Sequence, residues 1–301
     1  MGQLKIENTI PLIFIDRVSK ILPSDCDLKG CFTPRPYKAF RINTLKSDRR
    51  EVEEFLNDRD ISFNSVPWCP SAFTVPISFI DQILGSTLSS PGKIYAQGLE
   101  SMLAVVVLDP KPGEMVLDLC AAPGSKTTQI AALMQNEGAL LANEPVRNRF
   151  FRLKSVIDLM GAKASLASKD GRFFRSQQLF DRILVDAPCS SEGRFLWSEP
   201  KTFAYWSLRK VREMAHKQKG LLLNASRLLK PGGVMVYATC TFAPEENEEA
   251  IEWFLKKTGG RFQLQPINIP GILSYPSSVK HALRVLPSAD MEGFFIAKIS
   301  T

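Results

Sequence analysis

From Met115 onward the chain repeats one unit: a short apolar run of β type, a loop with turn residues, then a segment of helical pattern. The runs fall at 115–119, 139–143, 164–167, 183–186 and 234–238. Apolar strands alternating with helices predict a mostly parallel sheet covered on both faces, and sheets of this kind bind ligands beyond the carboxyl ends of their strands. Functional residues are therefore expected immediately after strands. A last run, 293–299, is expected to add an edge strand.

The residues before this array have a different texture. An extended stretch at 39–42, a charged amphipathic helix at 47–59 and a strand-like segment at 61–66 predict a small α/β unit, and Pro67, Pro70, Pro76 and the 85–92 stretch punctuate the way out of it. The change of texture near 90–105 predicts two domains, residues 1–104 and 105–301. With 301 residues, 45% of them apolar, the chain can bury both cores. No repeat or coiled coil interrupts them.

Composition excludes several classes. The early apolar stretch 10–15 contains a proline and ends at Asp16, unlike an export signal, and Ile6 stands where a myristoylation site opened by Met1-Gly2 needs Ser or Thr. No run is long enough to cross a bilayer, so a soluble protein without membrane partners is expected. Six scattered cysteines lack the density of a disulfide scaffold and fit a reducing cytoplasm. There is no CxxC pair, and the only histidines, His216 and His281, lie far apart, so no metal centre and no Ser/His or Cys/His hydrolase is expected. A net charge of +7 and a pI near 9.1 suit either a polyanionic partner or a moderately basic housekeeping enzyme, and charge alone does not separate the two.

The first strand of the array runs into DLCAAPGSKT (118–127), with a helix expected from Thr127. Small residues let the backbone approach a ligand, and the helix start offers unpaired amides. A nucleoside triphosphate loop would need glycine where Ser125 and Cys120 stand, and the GxGxxG dinucleotide pattern is also missing. Carboxylates follow the next three strands. Glu144 is placed to hold ribose hydroxyls, Asp170 to lie beside an adenine ring, and Asp186 ends the fourth strand.

Two of the six cysteines end strands at the same sheet edge. Cys189 stands in DAPCS (186–190) and Cys240 in YATCT (237–241), whereas Cys26, Cys31 and Cys69 read as small buried hydrophobes. The set DLCAAPGSKT, DAPCS and YATCT, in that order, resembles the Sun family of RNA (cytosine-5) methyltransferases, which includes the eukaryotic NSUN proteins and bacterial ribosomal RNA enzymes. The resemblance extends through FRINTLK (40–46), IYAQGLESML (94–103), PEENE (244–248) and EGFFIAKI (292–299).

The resemblance implies a Rossmann-like fold in which S-adenosylmethionine is surrounded by Cys120, Ala121, Ala122, Pro123, Gly124, Ser125, Lys126, Glu144, Asp170 and Asp186. It implies that Cys240 attacks carbon 6 of cytosine, making carbon 5 nucleophilic enough to accept a methyl group. Asp186 would contact the pyrimidine near N3, Cys189 would assist loss of the carbon 5 proton, and Lys126 would position Asp186. The N-terminal unit would hold RNA. Ribosomal RNA is expected first and tRNA second, with a monomer compatible with the sequence.

Two departures stand out: Ser125 replaces the second glycine of the usual AAPGGK, and Pro287-Ser288-Ala289-Asp290 lacks the basic or histidine residue common there. A single-cysteine scheme with Cys189 as nucleophile is the rival within enzymes, although it leaves Cys240 without a use. A catalytically silent RNA-binding assembly factor is the rival outside them. Phe195, Trp197 and Trp206 offer stacking surfaces for a displaced base or core packing, and the basic run within 206–219 offers a phosphate track or a solvated helix face.

Overall fold

A computed structural model of the chain describes residues 10–301, so the Met1-Gly2 start lies outside it. In chain order the first part holds α1 (Leu12–Ile21), α2 (Leu28–Cys31), β1 (Tyr37–Ile42), α3 (Arg49–Asn57), β2 (Asn64–Ser65), β3 (Ala72–Pro76), α4 (Ile77–Leu84) and β4 (Ile94–Ala96). The strands pair antiparallel in the order β2-β3-β1-β4. Asp48 caps α3 by accepting from the Glu51 amide at 2.9 Å. The strand expected at 61–66 shrinks to β2 because the Ile61 amide donates to Leu56 O at 3.0 Å, closing α3 instead of joining the ladder.

The second part begins with α5 (Leu99–Leu108), a helix buried almost all round. It runs through position 104 and packs against β8, β9 and β13 of the second sheet, introduced next. Then follow β5 (Met115–Asp118), α6 (Ser125–Leu133), β6 (Ala139–Asn143), α7 (Arg147–Met160), β7 (Ser165–Ala167), β8 (Phe180–Asp186), α8 (Leu208–Leu228), β9 (Leu229–Thr239), α9 (Glu248–Lys257), β10 (Gln263–Gln265), β11 (Ser274–Tyr275), β12 (Leu283–Val285) and β13 (Phe294–Ser300). The sheet order is β11-β12-β13-β9-β8-β5-β6-β7, with β10 also on β13. Strands β7, β6, β5, β8 and β9 are parallel, and the rest are antiparallel.

All five parallel strands lie where the sequence predicts them. The final strand differs: β13 is interior, between β9 and β12. Its run Phe294-Phe295-Ile296-Ala297 is buried on both faces, the signature of a central strand and not an edge. The chain leaves β5 for β6 on one side and later returns to β8 on the other, so the carboxyl end of β5 is the switch point where open α/β sheets take ligands. Among the described residues no helix is long and apolar enough to cross a membrane, and no cluster of three metal-ligating side chains occurs.

Candidate active site

The loop after β5 is shaped by local constraints. Gly124 has φ +111, where a side chain is strained, and a Cβ there would lie 3.1 Å from Val156 Cγ1. Ser125 is the first residue of α6 and has no such conformation, so the serine in place of glycine leaves the turn intact. Thr127 donates to Asp118 Oδ2 at 2.7 Å, while Asp118 Oδ1 is buried without a partner. Burial pushes the Asp118 carboxyl up to about 7. Asn143 staples neighbouring loops by donating to Leu119 O at 3.1 Å and Lys169 O at 2.9 Å.

A cavity of about 640 Å³ opens at this edge. It brings together Cys120, Ala121, Ala122, Pro123, Ser125, Lys126, Asp186, Cys189 and Cys240. Three of the residues singled out in the sequence stand outside its wall. Gly124 turns toward Val156 and Leu153. Glu144 is 1% exposed, accepts from the Val146 amide at 2.8 Å and pairs with Arg149, which itself lines the cavity and donates to Ala122 O. Asp170 pairs with Arg172 at 2.6 Å.

The donor set fits a cationic, nucleoside-containing cofactor such as S-adenosylmethionine. Asp118 offers an unpartnered buried oxygen at the cavity, and the loop lets a ligand approach backbone. Lys126 is buried and its Nζ donates to Asp186 Oδ2 at 2.7 Å, joining the start of α6 to the end of β8. Burial opposes the ammonium, but the Asp186 charge and hydrogen bond outweigh it and raise the Lys126 pKa.

The two thiols meet across the cavity: Cys189 Sγ and Cys240 Sγ are 3.2 Å apart. They are inequivalent. The Cys189 hydrogen bond favours the Cys240 thiolate, with smaller help from Ser191 and Arg194, and the Cys240 pKa falls below its ordinary value against the opposing effect of burial. The same contact and burial raise Cys189.

The opposite wall comes from the first part of the chain and from residues that the strand-end pattern does not single out. Arg35, Lys38, Glu100, Arg194 and Glu292 share it. Glu292 belongs to the EGFF segment and sits 3.3 Å from Arg194 Nε; burial pushes its carboxyl up to about 7. Glu100 and Glu292 lie within IYAQGLESML and EGFFIAKI, whereas Arg35, Lys38 and Arg194 are marked in the sequence by their charge alone.

Phe195 is buried, and Trp197 and Trp206 half-buried, in a hydrophobic cluster with α1 and α2. Phe14 lies 4.9 Å from Phe195 and 5.4 Å from Trp206, and Phe32 lies 6.2 Å from Trp197. Of the two readings open to them, base platform or core packing, Phe195 takes the core, and Trp197 and Trp206 pack against the same cluster. Of the basic run on α8, Arg209 is 89% exposed and pairs with Glu213, as on a solvated face. Cys31 and Cys69 are buried and Cys26 half-buried, in keeping with packing roles.

This fold and site define an α/β methyltransferase of the Rossmann-like class. The chain belongs to the Sun family: residues 105–300 match the family described as 16S rRNA methyltransferase RsmB/F. It is 39% identical over 303 residues to the tRNA (cytosine(49)-C(5))-methyltransferase of Pyrococcus abyssi, covering 95% of this chain and 94% of that protein. It is 36% identical over 303 residues to the Ribosomal RNA small subunit methyltransferase F of Vibrio parahaemolyticus, covering 96% of this chain but 63% of that longer protein. A solved methyltransferase homolog from Pyrococcus horikoshii superposes with a TM-score of 0.82 at 32% identity, covering 98% of this chain and 96% of that one. The NSun6 protein of Pyrococcus horikoshii, solved with SFG, shares the fold at a TM-score of 0.85 and 22% identity, over 97% of this chain and 98% of that one.

Proposed function

We propose that this chain transfers a methyl group from S-adenosylmethionine to carbon 5 of a cytosine in RNA, through a covalent bond between Cys240 and carbon 6. The observation that carries the reading is the pair of thiols 3.2 Å apart in the cavity that also holds the cofactor loop. The cofactor, when bound, supplies an electrophilic methyl group. The loop 120–126 and Arg149 would hold it, Glu144 fixes Arg149, and Asp170 would reach the adenine end on release from Arg172.

Cys240 Sγ adds as the thiolate to carbon 6, and Asp186, held by Lys126, passes a proton to N3 as charge moves into the ring and takes it back when the adduct breaks down. After methylation Cys189, having released its own proton to solvent, takes the carbon 5 proton, which restores the ring double bond and expels the Cys240 thiolate. Arg35, Lys38 and Arg194 stand where an RNA backbone would enter. The setting is a reducing cytoplasm, which keeps both thiols free.

Ribosomal RNA is the first substrate in this reading, on the resemblance to the ribosomal enzymes. A tRNA substrate is the second reading: the tRNA enzyme of Pyrococcus abyssi is 39% identical to this chain, against 36% for the ribosomal enzyme of Vibrio parahaemolyticus. Incubation with methyl-labelled cofactor and separated ribosomal and transfer RNA, followed by digestion to nucleosides, tests the proposal. Labelled 5-methylcytidine in either fraction supports it and names the RNA class. Label in another nucleoside, or none, refutes it.

A further inference from the structure

The segment PEENE enters the structure between β9 and α9, and none of the chemistry above uses it. Glu246 and Asn247 are 0% and 1% exposed, and a buried carboxylate and amide must be held by specific partners. Those partners are the residues on either side of the two cysteines. Asn247 Oδ1 accepts from Thr239 Oγ1 at 2.6 Å, and its Nδ2 donates to Thr241 O at 2.9 Å, so one amide grips both neighbours of Cys240. Glu246 Oε2 accepts from the Ser190 amide at 3.0 Å and from Gln218 Nε2 at 2.8 Å, and the same Gln218 amide donates to Pro188 O at 2.9 Å. The carboxylate therefore holds one neighbour of Cys189 directly and the other through Gln218.

Two further observations show that this arrangement serves the loops and not the helix that follows. Asn247 occupies the N-cap position of α9, where asparagine ordinarily bonds its own helix amides, yet its side chain makes no such bond. The grip is also closed across the loops: Ser190 Oγ and Thr241 Oγ1 are 2.7 Å apart, Thr241 donates to Glu192 Oε2 at 3.0 Å, and the Gly193 amide donates to Cys240 O at 3.0 Å. With the Thr241 proton on the Glu192 carboxylate, the Ser190 hydroxyl donates to Thr241, and the chain of bonds has one direction.

We propose that the Glu246-Asn247 dipeptide is a positioning element that sets the separation of the Cys189 and Cys240 thiols. It touches neither the cofactor loop nor the cavity, and acts through the backbone that carries each sulfur. The role in methyl transfer rests on the two-cysteine reading above; the geometric claim does not.

The test reads thiol separation directly. Phenylarsine oxide condenses with two adjacent thiols, forming two As–S bonds and releasing water. Because Cys26 and Cys31 are also 3.0 Å apart, the parent protein carries Cys26→Ser. The parent takes up one arsenical, and Cys189→Ala abolishes uptake. Asn247→Asp keeps the volume and the bond from Thr239 but turns a carboxylate onto Thr241 O. It is expected to weaken chelation by about tenfold or more, with S-adenosylhomocysteine affinity within about twofold of the parent. Glu246→Gln retains the acceptor and keeps chelation; Glu246→Ala loses it.

If Asn247→Asp chelates like the parent, the proposal is overturned, and because this variant is isosteric it decides the matter even should Glu246→Ala fail to fold. Loss of chelation together with an equal loss of cofactor affinity also overturns it, since that pattern marks general unfolding. Failure of the nucleophile reading would appear elsewhere, as a Cys240→Ala protein that still methylates RNA.

Discussion

Lys126 Nζ and Asp186 Oδ2 lie 2.7 Å apart, joining the cofactor helix to the strand that delivers Cys189, with the lysine side chain 10% exposed. The loop after β5 and the carboxylate at the end of β8 are therefore one mechanical unit. Lys126→Met leaves a half-buried carboxylate without its cation and is expected to destabilise the fold by about 1–3 kcal/mol. Denaturant midpoints measure this. A double-mutant cycle with Asp186→Asn should return a coupling of about 0.5–3 kcal/mol, and additivity would show that the pair is not energetically linked.

Asp118 carries a pH signature. Burial raises its carboxyl from 3.8 to about 7. A folded-state pKa above the unfolded one means that the folded protein binds the proton more tightly, so the stability it contributes is present at low pH and is lost as pH rises through about 7. Asp118→Asn removes this titration while keeping an oxygen for Thr127. Relative to the parent, the variant should gain on the order of 2 kcal/mol between pH 5 and pH 8. Chemical denaturation at the two pH values checks it, and a constant difference would mean that Asp118 titrates normally.

Gly193 passes between two backbones. A Cβ there would lie 2.2 Å from Gly293 O and 3.2 Å from Cys240 O, and neither is the end of a flexible side chain. Gly193→Ala should therefore cost about 1–3 kcal/mol through overpacking. It should also lower methyl transfer more than it lowers cofactor affinity, since the displaced turn carries Arg194 and bonds to the Cys240 carbonyl. Thermal denaturation and a cofactor titration separate the two effects.

Arg284 and Glu248 form a bidentate ion pair with side chains 7% and 4% exposed, and Arg284 also donates to the Tyr275 hydroxyl at 3.1 Å. The pair fastens β11 and β12 to the start of α9, directly after the Glu246-Asn247 segment. Breaking a buried pair by removing one partner strands the other, so Arg284→Met is expected to cost about 3–5 kcal/mol. The melting transition measures this, and a shift of under a degree would show the pair to be dispensable.

The sequence carries the second part of the fold plainly, because every parallel strand is a short apolar run with turn residues after it, and the loops after β5, β8 and β9 carry residues that line the cavity. Cys120, Lys126, Asp186, Cys189 and Cys240 are legible for that reason. The residues that complete the site are partnered across large sequence separations. Arg41 illustrates it: buried on β1, it donates to Gln97 at 2.8 Å, Thr128 at 2.5 Å and Ser125 O at 3.2 Å, fastening the first sheet to the cofactor helix. No local period reports a bond that spans 87 residues. Strand β13 was hidden differently, since an apolar run at the end of a chain suits an edge until its partners are known. Phe195, Trp197 and Trp206 were ambiguous because an aromatic side chain serves a base platform or a core equally well until its neighbours are placed.

The most direct test of the central claim is a comparison of covalent RNA adducts and 5-methylcytosine formed by the wild-type protein, Cys240→Ala and Cys189→Ala with labelled S-adenosylmethionine, resolved under denaturing conditions. The account predicts that wild type methylates, Cys240→Ala forms neither adduct nor product, and Cys189→Ala accumulates a denaturation-resistant adduct because the carbon 5 proton cannot leave. Methylation by Cys240→Ala with a dead Cys189→Ala would contradict it and make Cys189 the nucleophile.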